Sequence, residues 1–151
     1  MTTKSDDAII AKALEIMLSR LKDADELVSA SSPEKTREYL RLKLHHLEHE
    51  VFGMLFLDVK NKIIKDEVIF RGSLAHAAVY PREVVKECLF YNAASVIFYH
   101  NHPSGDCAPS DADLALTTNL TSALALVDIK VLDHIIFAGY NSYSFAEHGK
   151  I

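Results

Sequence analysis

Apolar positions in the first fifty residues recur at the spacing of amphipathic helices. Between residues 8 and 27, Ile9, Ile10, Leu14, Ile16, Met17 and Leu21 fall at roughly helical intervals. The stretch Ser29-Ala30-Ser31-Ser32-Pro33 has no period and supplies turn chemistry. Ser32 can cap a second helix with Pro33 at its first position, and Tyr39, Leu40 and Leu42 carry that pattern to His45. The character then changes. VFGMLFLDV at 51–59 reads as a buried strand, Lys60-Asn61-Lys62 as a polar turn and 63–70 as a second strand, which together predict a hairpin. Pro81 opens a helix that runs to Tyr91, with Val84, Val85, Cys88 and Leu89 on its apolar side. SVIFY at 95–99 is a short strand leading straight into His100. A loop of Pro, Ser, Gly and Asp follows, then a helix over 110–127. Closing strands are expected over 131–137 and 143–145, separated by Gly139-Tyr140-Asn141-Ser142. Strands alternating with helices make the class α/β. The hairpin means that the sheet is mixed rather than wholly parallel.

Composition narrows this further. A chain of 151 residues can bury one domain's core, and 49% hydrophobic against 25% charged residues describes a folded globular protein. The net charge of -5, from 16 Lys+Arg and 21 Asp+Glu, removes the simplest electrostatic argument for nucleic-acid binding. Lys60, Lys62, Lys65 and Arg71 make only a modest basic surface, read as a solvated face. Two cysteines, Cys88 and Cys107, are too few for a disulfide framework. Apolar runs such as ALALV at 123–127 are too short to span a bilayer, and the first residues lack a signal peptide's apolar stretch. The expected setting is cytoplasmic, with no membrane partner.

The chemistry concentrates in HNHPSGDCAPSDAD, residues 100–113. In extended backbone, residues i and i+2 share a face, so His100 and His102 can aim at one point. They lie where a buried strand ends, the usual place for ligand sites in α/β sheets. Pro103, Gly105 and Pro109 turn the chain back toward a helix whose first turn contains Asp113. Two imidazoles and a carboxylate suit zinc and leave a fourth position for water. A plainer account also exists: Ser110 and Asp113 have the S-x-x-D spacing of a helix cap, which needs no metal. Cys107, inside the same loop, could close the water position as a thiolate, although an exposed loop residue is the simpler reading.

H-N-H-P-S-G-x(4)-S-x-x-D resembles the JAMM motif as it occurs in the RadC family of bacterial JAB/MPN-domain proteins. The resemblance runs from about Leu47 to the C-terminus. It takes in LFLD at 55–58, RG at 71–72, PREVVK at 81–86, NAA at 92–94, VLDH at 131–134 and SFAEHG at 144–149. It implies an MPN/JAB, cytidine-deaminase-like fold over 47–151, preceded by an N-terminal helical extension at 1–46. The N-terminal segment shows no glycine-rich helix-hairpin-helix pattern, so the chain resembles the short, single-domain members.

Carried over residue by residue, the resemblance implies Zn2+ bound by His100, His102 and Asp113, with Ser110 hydrogen-bonding the oxyanion or the attacking water. The upstream glutamate of the motif matches Glu50 best, with Glu48 and Glu67 as competitors. It would accept a proton from zinc-activated water and return it to the leaving amine. The implied activity is that of a zinc metallopeptidase-like hydrolase cleaving an amide, peptide or isopeptide bond in a peptide or protein substrate. Two alternatives stand beside it: a DNA-maintenance accessory, by family association, and a metal-containing interaction module without turnover.

Tyr99 departs from the family pattern, standing before the first ligand where a small residue is usual, and is expected to alter packing behind the site. His45, His46 and His49 read as residues near a helix C-terminus, where positive charge is favoured. His76 and His148 have no assigned role. His134 reads as a structural hydrogen-bonding residue at the edge of the cleft, and Cys88 as core.

Overall fold

The computed structural model describes residues 3–23, 33–73 and 79–151. Two helices come first, α1 (Lys4–Asp23) and α2 (Pro33–Leu44). They are followed by the hairpin β1 (Val51–Leu57) and β2 (Ile63–Arg71), then α3 (Pro81–Phe90) and β3 (Ser95–Asn101). The helix α4 (Asp111–Ala125) leads to β4 (Lys130–Ala138) and β5 (Asn141–Ser144). The strands form one five-stranded sheet in the order β2-β1-β3-β4-β5. Only β3 and β4, the pair joined through α4, run parallel; the other neighbours are antiparallel. The fold is therefore α/β with a mixed sheet, as the hairpin reading requires. The expected cap at Ser32, the end of the first predicted helix and His76 lie outside the described residues.

Strand β1 is buried along its whole length because it sits between β2 and β3 with helices on both faces. Side chains alternate across it. Phe52, Met54 and Phe56 join Val84 and Cys88 of α3 and Leu120 and Leu124 of α4 in one core. Val51, Leu55 and Leu57 join Leu21 of α1 and Tyr39, Leu40 and Leu44 of α2 in the other. The second helix is thus packed into the same core as the sheet. Along α1, Ile9 and Ile16 remain exposed although their spacing is helical.

The hairpin turns two residues earlier than the apolar run suggests. Asp58 Oδ1 accepts hydrogen bonds from the amides of Lys60 and Lys62 at 2.8 and 2.9 Å, and Asn61 takes a positive φ of 61°. Those bonds stop β1 at Leu57 and leave Val59 exposed. At the other end of the sheet, β5 begins at Asn141, because Gly139 (φ +56°) and Tyr140 complete the turn by themselves.

Tyr99 lies on the face opposite His100, as alternation along β3 demands. Gly53, directly across on β1, makes room for it: a Cβ there would stand 2.2 Å from Tyr99 Cζ. The phenol donates to Asp66 Oδ1 at 2.5 Å, and Tyr39 OH also donates to Asp66. Lys43 Nζ reaches both Asp66 (2.7 Å) and the Tyr99 oxygen (2.8 Å). Burial first, then the Asp66 charge, push both phenols far above the usual tyrosine range. The departure at Tyr99 is thus accommodated on the far side of the sheet, where it ties α2 to β2 and β3.

Candidate metal centre

The site forms where β3 runs out beside the start of α4. Strand β3 extends to Asn101, two residues beyond the apolar run, so His100 is a fully buried strand residue. His102 follows on the same face, its amide bonded to the Phe137 carbonyl at 2.8 Å. On α4 the buried residues are Asp113, Thr117, Leu120 and Leu124, a single helical stripe at i, i+4, i+7 and i+11. Its first two members are polar because they meet the histidines, and its last two are core.

Both readings of S-x-x-D hold together. The Ser110 side chain accepts from the Asp113 amide at 3.1 Å, and the Asp113 carboxylate accepts from the Ser110 amide at 2.8 Å, a complete capping box. That box presents the same carboxylate to the histidines. Asp113 Oδ1 lies 3.2 Å from His100 Nε2, and Oδ2 lies 3.1 Å from His102 Nε2. The two Nε2 atoms are 2.9 Å apart. Among the described residues, this is the one group of three or more His, Cys, Asp or Glu side chains whose ligand atoms lie close enough to share a metal ion. Cys107 is not part of it.

The protons on these rings follow from their outer contacts. Thr117 Oγ1 donates to the Asp113 carbonyl at 2.8 Å, so toward His134 Nδ1, 2.6 Å away, it can only accept. His134 is wholly buried, and burial first, then the His100 charge, hold it far below the usual imidazole range, so its ring is neutral. Its one proton is on Nδ1, and Nε2 accepts from His100 Nδ1 at 2.7 Å. His102 Nδ1 likewise donates to the Asp106 carbonyl at 2.8 Å. In the neutral rings both Nε2 atoms therefore carry lone pairs, and they point at each other and at a carboxylate.

Three acceptors this close repel one another unless a cation lies among them, which is the fit expected of a metal-ligand set. Without a metal, a proton on a histidine Nε2 can serve as that cation by hydrogen-bonding to Asp113. Burial lowers His100 against the pull of Asp113, whereas the hydrogen bond to Asp113 raises the less buried His102. Burial works to raise the Asp113 carboxyl, but His100, His102 and the Ser110 amide outweigh it and hold Asp113 well below the usual carboxylate range.

A shallow cavity of about 290 Å³ opens on this centre, lined by Glu50, Ser73, His102, Ser104, Asp106, Ala108, Ser110 and Asp113. Of the three glutamates weighed from the sequence, Glu50 is the one on its wall. Glu48 is exposed outside it, and Glu67 lies on β2 beside Glu87 and Tyr91. The residue between the two histidines holds Glu50 there. Asn101 Oδ1 accepts from the Val51 amide at 2.8 Å, and its Nδ2 donates to the His49 carbonyl at 2.9 Å, so one buried side chain brackets Glu50 on both sides.

The matching family model, described as a RadC-like JAB domain, covers residues 30–150. The chain belongs to the RadC-like JAB domain family. Relatives agree over most of its length. A UPF0758 protein of Janthinobacterium sp. strain Marseille is 53% identical over 137 residues, which is 89% of this chain and 61% of that protein. One from Cupriavidus pinatubonensis is 51% identical over 138 residues, or 91% of this chain and 60% of that protein. The UPF0758 protein YfjY of Escherichia coli is 47% identical over 140 residues, covering 93% of this chain and 86% of YfjY. The chain thus spans about three-fifths of the length of the first of these relatives.

Within this RadC-like JAB domain, the geometry also supplies two polar residues that sequence reasoning missed. Thr117 lies one helical turn beyond Asp113, so its spacing was a usable signal. Asn101 stood between the histidines, but its bonds reach residues 50 positions away in the chain and had no local signature. The structural role read for His134 is realised: its ring bridges His100 and Thr117 and stacks on Phe145 at 4.5 Å. His45 packs against Tyr140, and Cys88 is buried. Among the described residues, no helix is long and apolar enough to cross a membrane.

Proposed function

We propose that this chain is a zinc-dependent hydrolase that cleaves an amide, peptide or isopeptide bond in a peptide or protein substrate. The observation that carries the reading is the pair of Nε2 atoms converging on the Asp113 carboxylate beside a cavity walled by Glu50 and Ser110. Zinc–nitrogen bonds of about 2.0–2.1 Å at a tetrahedral centre put ligand atoms roughly 3.3 Å apart. The separations of 2.9–3.2 Å seen here need only a small expansion to reach that geometry. When bound, zinc supplies a Lewis acid that can lower the pKa of a coordinated water from about 15.7 toward ~7.

The chain's own groups divide the remaining chemistry. His100, His102 and Asp113 would hold the metal, next to the cavity that Glu50 and Ser110 line. Glu50 accepts the proton of the attacking water and returns it to the departing amine. Ser110 Oγ already accepts the Asp113 amide, so its own hydrogen is available to donate to the substrate oxygen as charge develops there. A net charge of -5 ranks the DNA-maintenance reading below this one.

The test pairs metal content with turnover. Wild type is expected to carry about one zinc per chain, and His100→Ala and Asp113→Ala to carry much less. Glu50→Gln is expected to keep zinc and fold while cleavage of any substrate found in a peptide library falls about 10²–10⁴-fold. Equal zinc in all variants refutes the metal set. Full activity in Glu50→Gln refutes its role.

A further inference from the structure

A second cavity borders the centre on the other side of the loop. It is about 180 Å³ in volume and lies between the end of α2, the β4–β5 turn and residues 101–105. His102 lines both cavities. Pro103 and Gly105 face this one and Ser104 and Asp106 the other, so the loop separates two cavities that share His102. Among the described residues no carboxylate lines this second cavity; its walls are Leu44, Leu47, Phe137 and Pro103 with Arg41, His45 and Asn101.

Its polar groups are mostly committed. The Asn101 side chain is spent on Val51 and His49, and His102 Nδ1 on the Asp106 carbonyl. Arg41 is different. Its Nε is buried with no hydrogen-bond partner, and the described residues give its guanidinium no ion pair. Glu38, one turn back on α2, shares an outer groove with Arg41, His45 and Tyr140 but forms no salt bridge with it. An occupant of the cavity cannot reach the enclosed Nε, so the terminal Nη groups, which have no partner among the described residues, are the donors that a ligand would meet.

We propose that this cavity is a substrate subsite for a carboxylate, recognised by Arg41, so that the hydrolase accepts a peptide with an acidic group next to the bond it cleaves. The planar guanidinium fork matches a carboxylate, and the apolar walls suit the short aliphatic stem that carries one. A nucleic-acid phosphate is a poorer match, because one arginine in a small half-apolar hollow offers no track for a charged backbone. As a substrate subsite the proposal rests on the hydrolase reading, but its test reads binding alone.

The full chain, labelled with 15N and stripped of metal so that no probe is captured by zinc, is titrated while the Arg41 Nε–H resonance is followed by NMR. The probes are N-acetylglutamate methylamide for a side-chain carboxylate, N-acetylalanine for a terminal one, inorganic phosphate, and neutral N-acetylglutamine methylamide. The expected result is saturable movement of the Arg41 signal with one or both carboxylates. Their binding should be about ten- to a hundredfold tighter than that of the glutamine analogue. Which carboxylate binds more tightly tells a side-chain acid from a chain terminus. Arg41→Gln should abolish the preference, and Arg41→Lys should restore only part of it. Equal binding of the glutamine analogue overturns the proposal, as does saturation by phosphate without saturation by either carboxylate. Carboxylate binding that persists without measurable hydrolysis would keep the subsite and count against the hydrolase reading.

Discussion

Replacing Thr117 by valine keeps the shape of the side chain and removes one hydroxyl, which makes it a clean probe of the proton arrangement behind the candidate metal ligands. The hydroxyl accepts from His134 Nδ1 at 2.6 Å while donating to the Asp113 carbonyl at 2.8 Å. Without it, a wholly buried Nδ1–H has no acceptor, at a cost of about 1–3 kcal/mol. The ring escapes that cost by moving its proton to Nε2, 2.7 Å from His100 Nδ1. His100 must then accept at Nδ1 and carry its own proton on Nε2, the atom aimed at the metal position. Loss of such a supporting contact lowers metal affinity about 10–100-fold, which corresponds to about 1.4–2.7 kcal/mol. Competition for zinc against a chromophoric chelator measures this for wild type, Thr117→Val and Thr117→Ser, with serine expected to stay near wild type. Imidazole 15N spectra of the metal-free proteins should show His134 protonated at Nδ1 in wild type and at Nε2 in the valine variant. Unchanged zinc affinity together with an unchanged tautomer in Thr117→Val would refute the relay.

Asn101→Leu should keep zinc but slow turnover, because Glu50 loses the bonds that bracket it; a variant that loses zinc and activity in equal measure would mean that Asn101 serves the ligands instead. Gly53→Ala should lower stability by about 1–3 kcal/mol in chemical denaturation, since its Cβ would stand 2.2 Å from the Tyr99 ring, and an unchanged midpoint would contradict that packing. Cys88 is buried, and burial pushes its thiol up to about 12. A thiol reagent near neutral pH should therefore label only Cys107 in the folded protein and both cysteines after unfolding, whereas two fast-reacting thiols in the native state would count against the buried position.

The periodicity of α1, α2, α3 and α4, the β1–β2 hairpin and the mixed character of the sheet were legible in the sequence. Each of those features is set by residues near one another along the chain. The grouping of His100, His102 and Asp113 was legible for the same reason. His100 and His102 share a face through the two-residue repeat of a strand, and the S-x-x-D spacing puts Asp113 in the first turn of α4. Element ends were less legible where a side chain took over backbone bonds, as Asp58 does in closing the hairpin at Leu57. Choosing Glu50 over Glu48 and Glu67 from sequence needed a family resemblance, because all three lie in or beside apolar stretches. Only the fold brings one of them to the cavity wall.

What the tertiary structure alone decided is how distant residues complete the centre. Asn101 reaches back to the start of β1, His134 comes from the parallel neighbour β4, and Thr117 closes the relay from α4. Gly53 opposite Tyr99 and Arg41, which has no ion pair among the described residues and lies beside His102, belong to the same class. A sequence records the chemistry a residue can offer and, within a helix or strand, the direction in which it faces. Which donor meets which acceptor across the sheet depends on strand order and register. Those are settled by burying both faces of β1 at once, a condition that no local stretch of the chain contains.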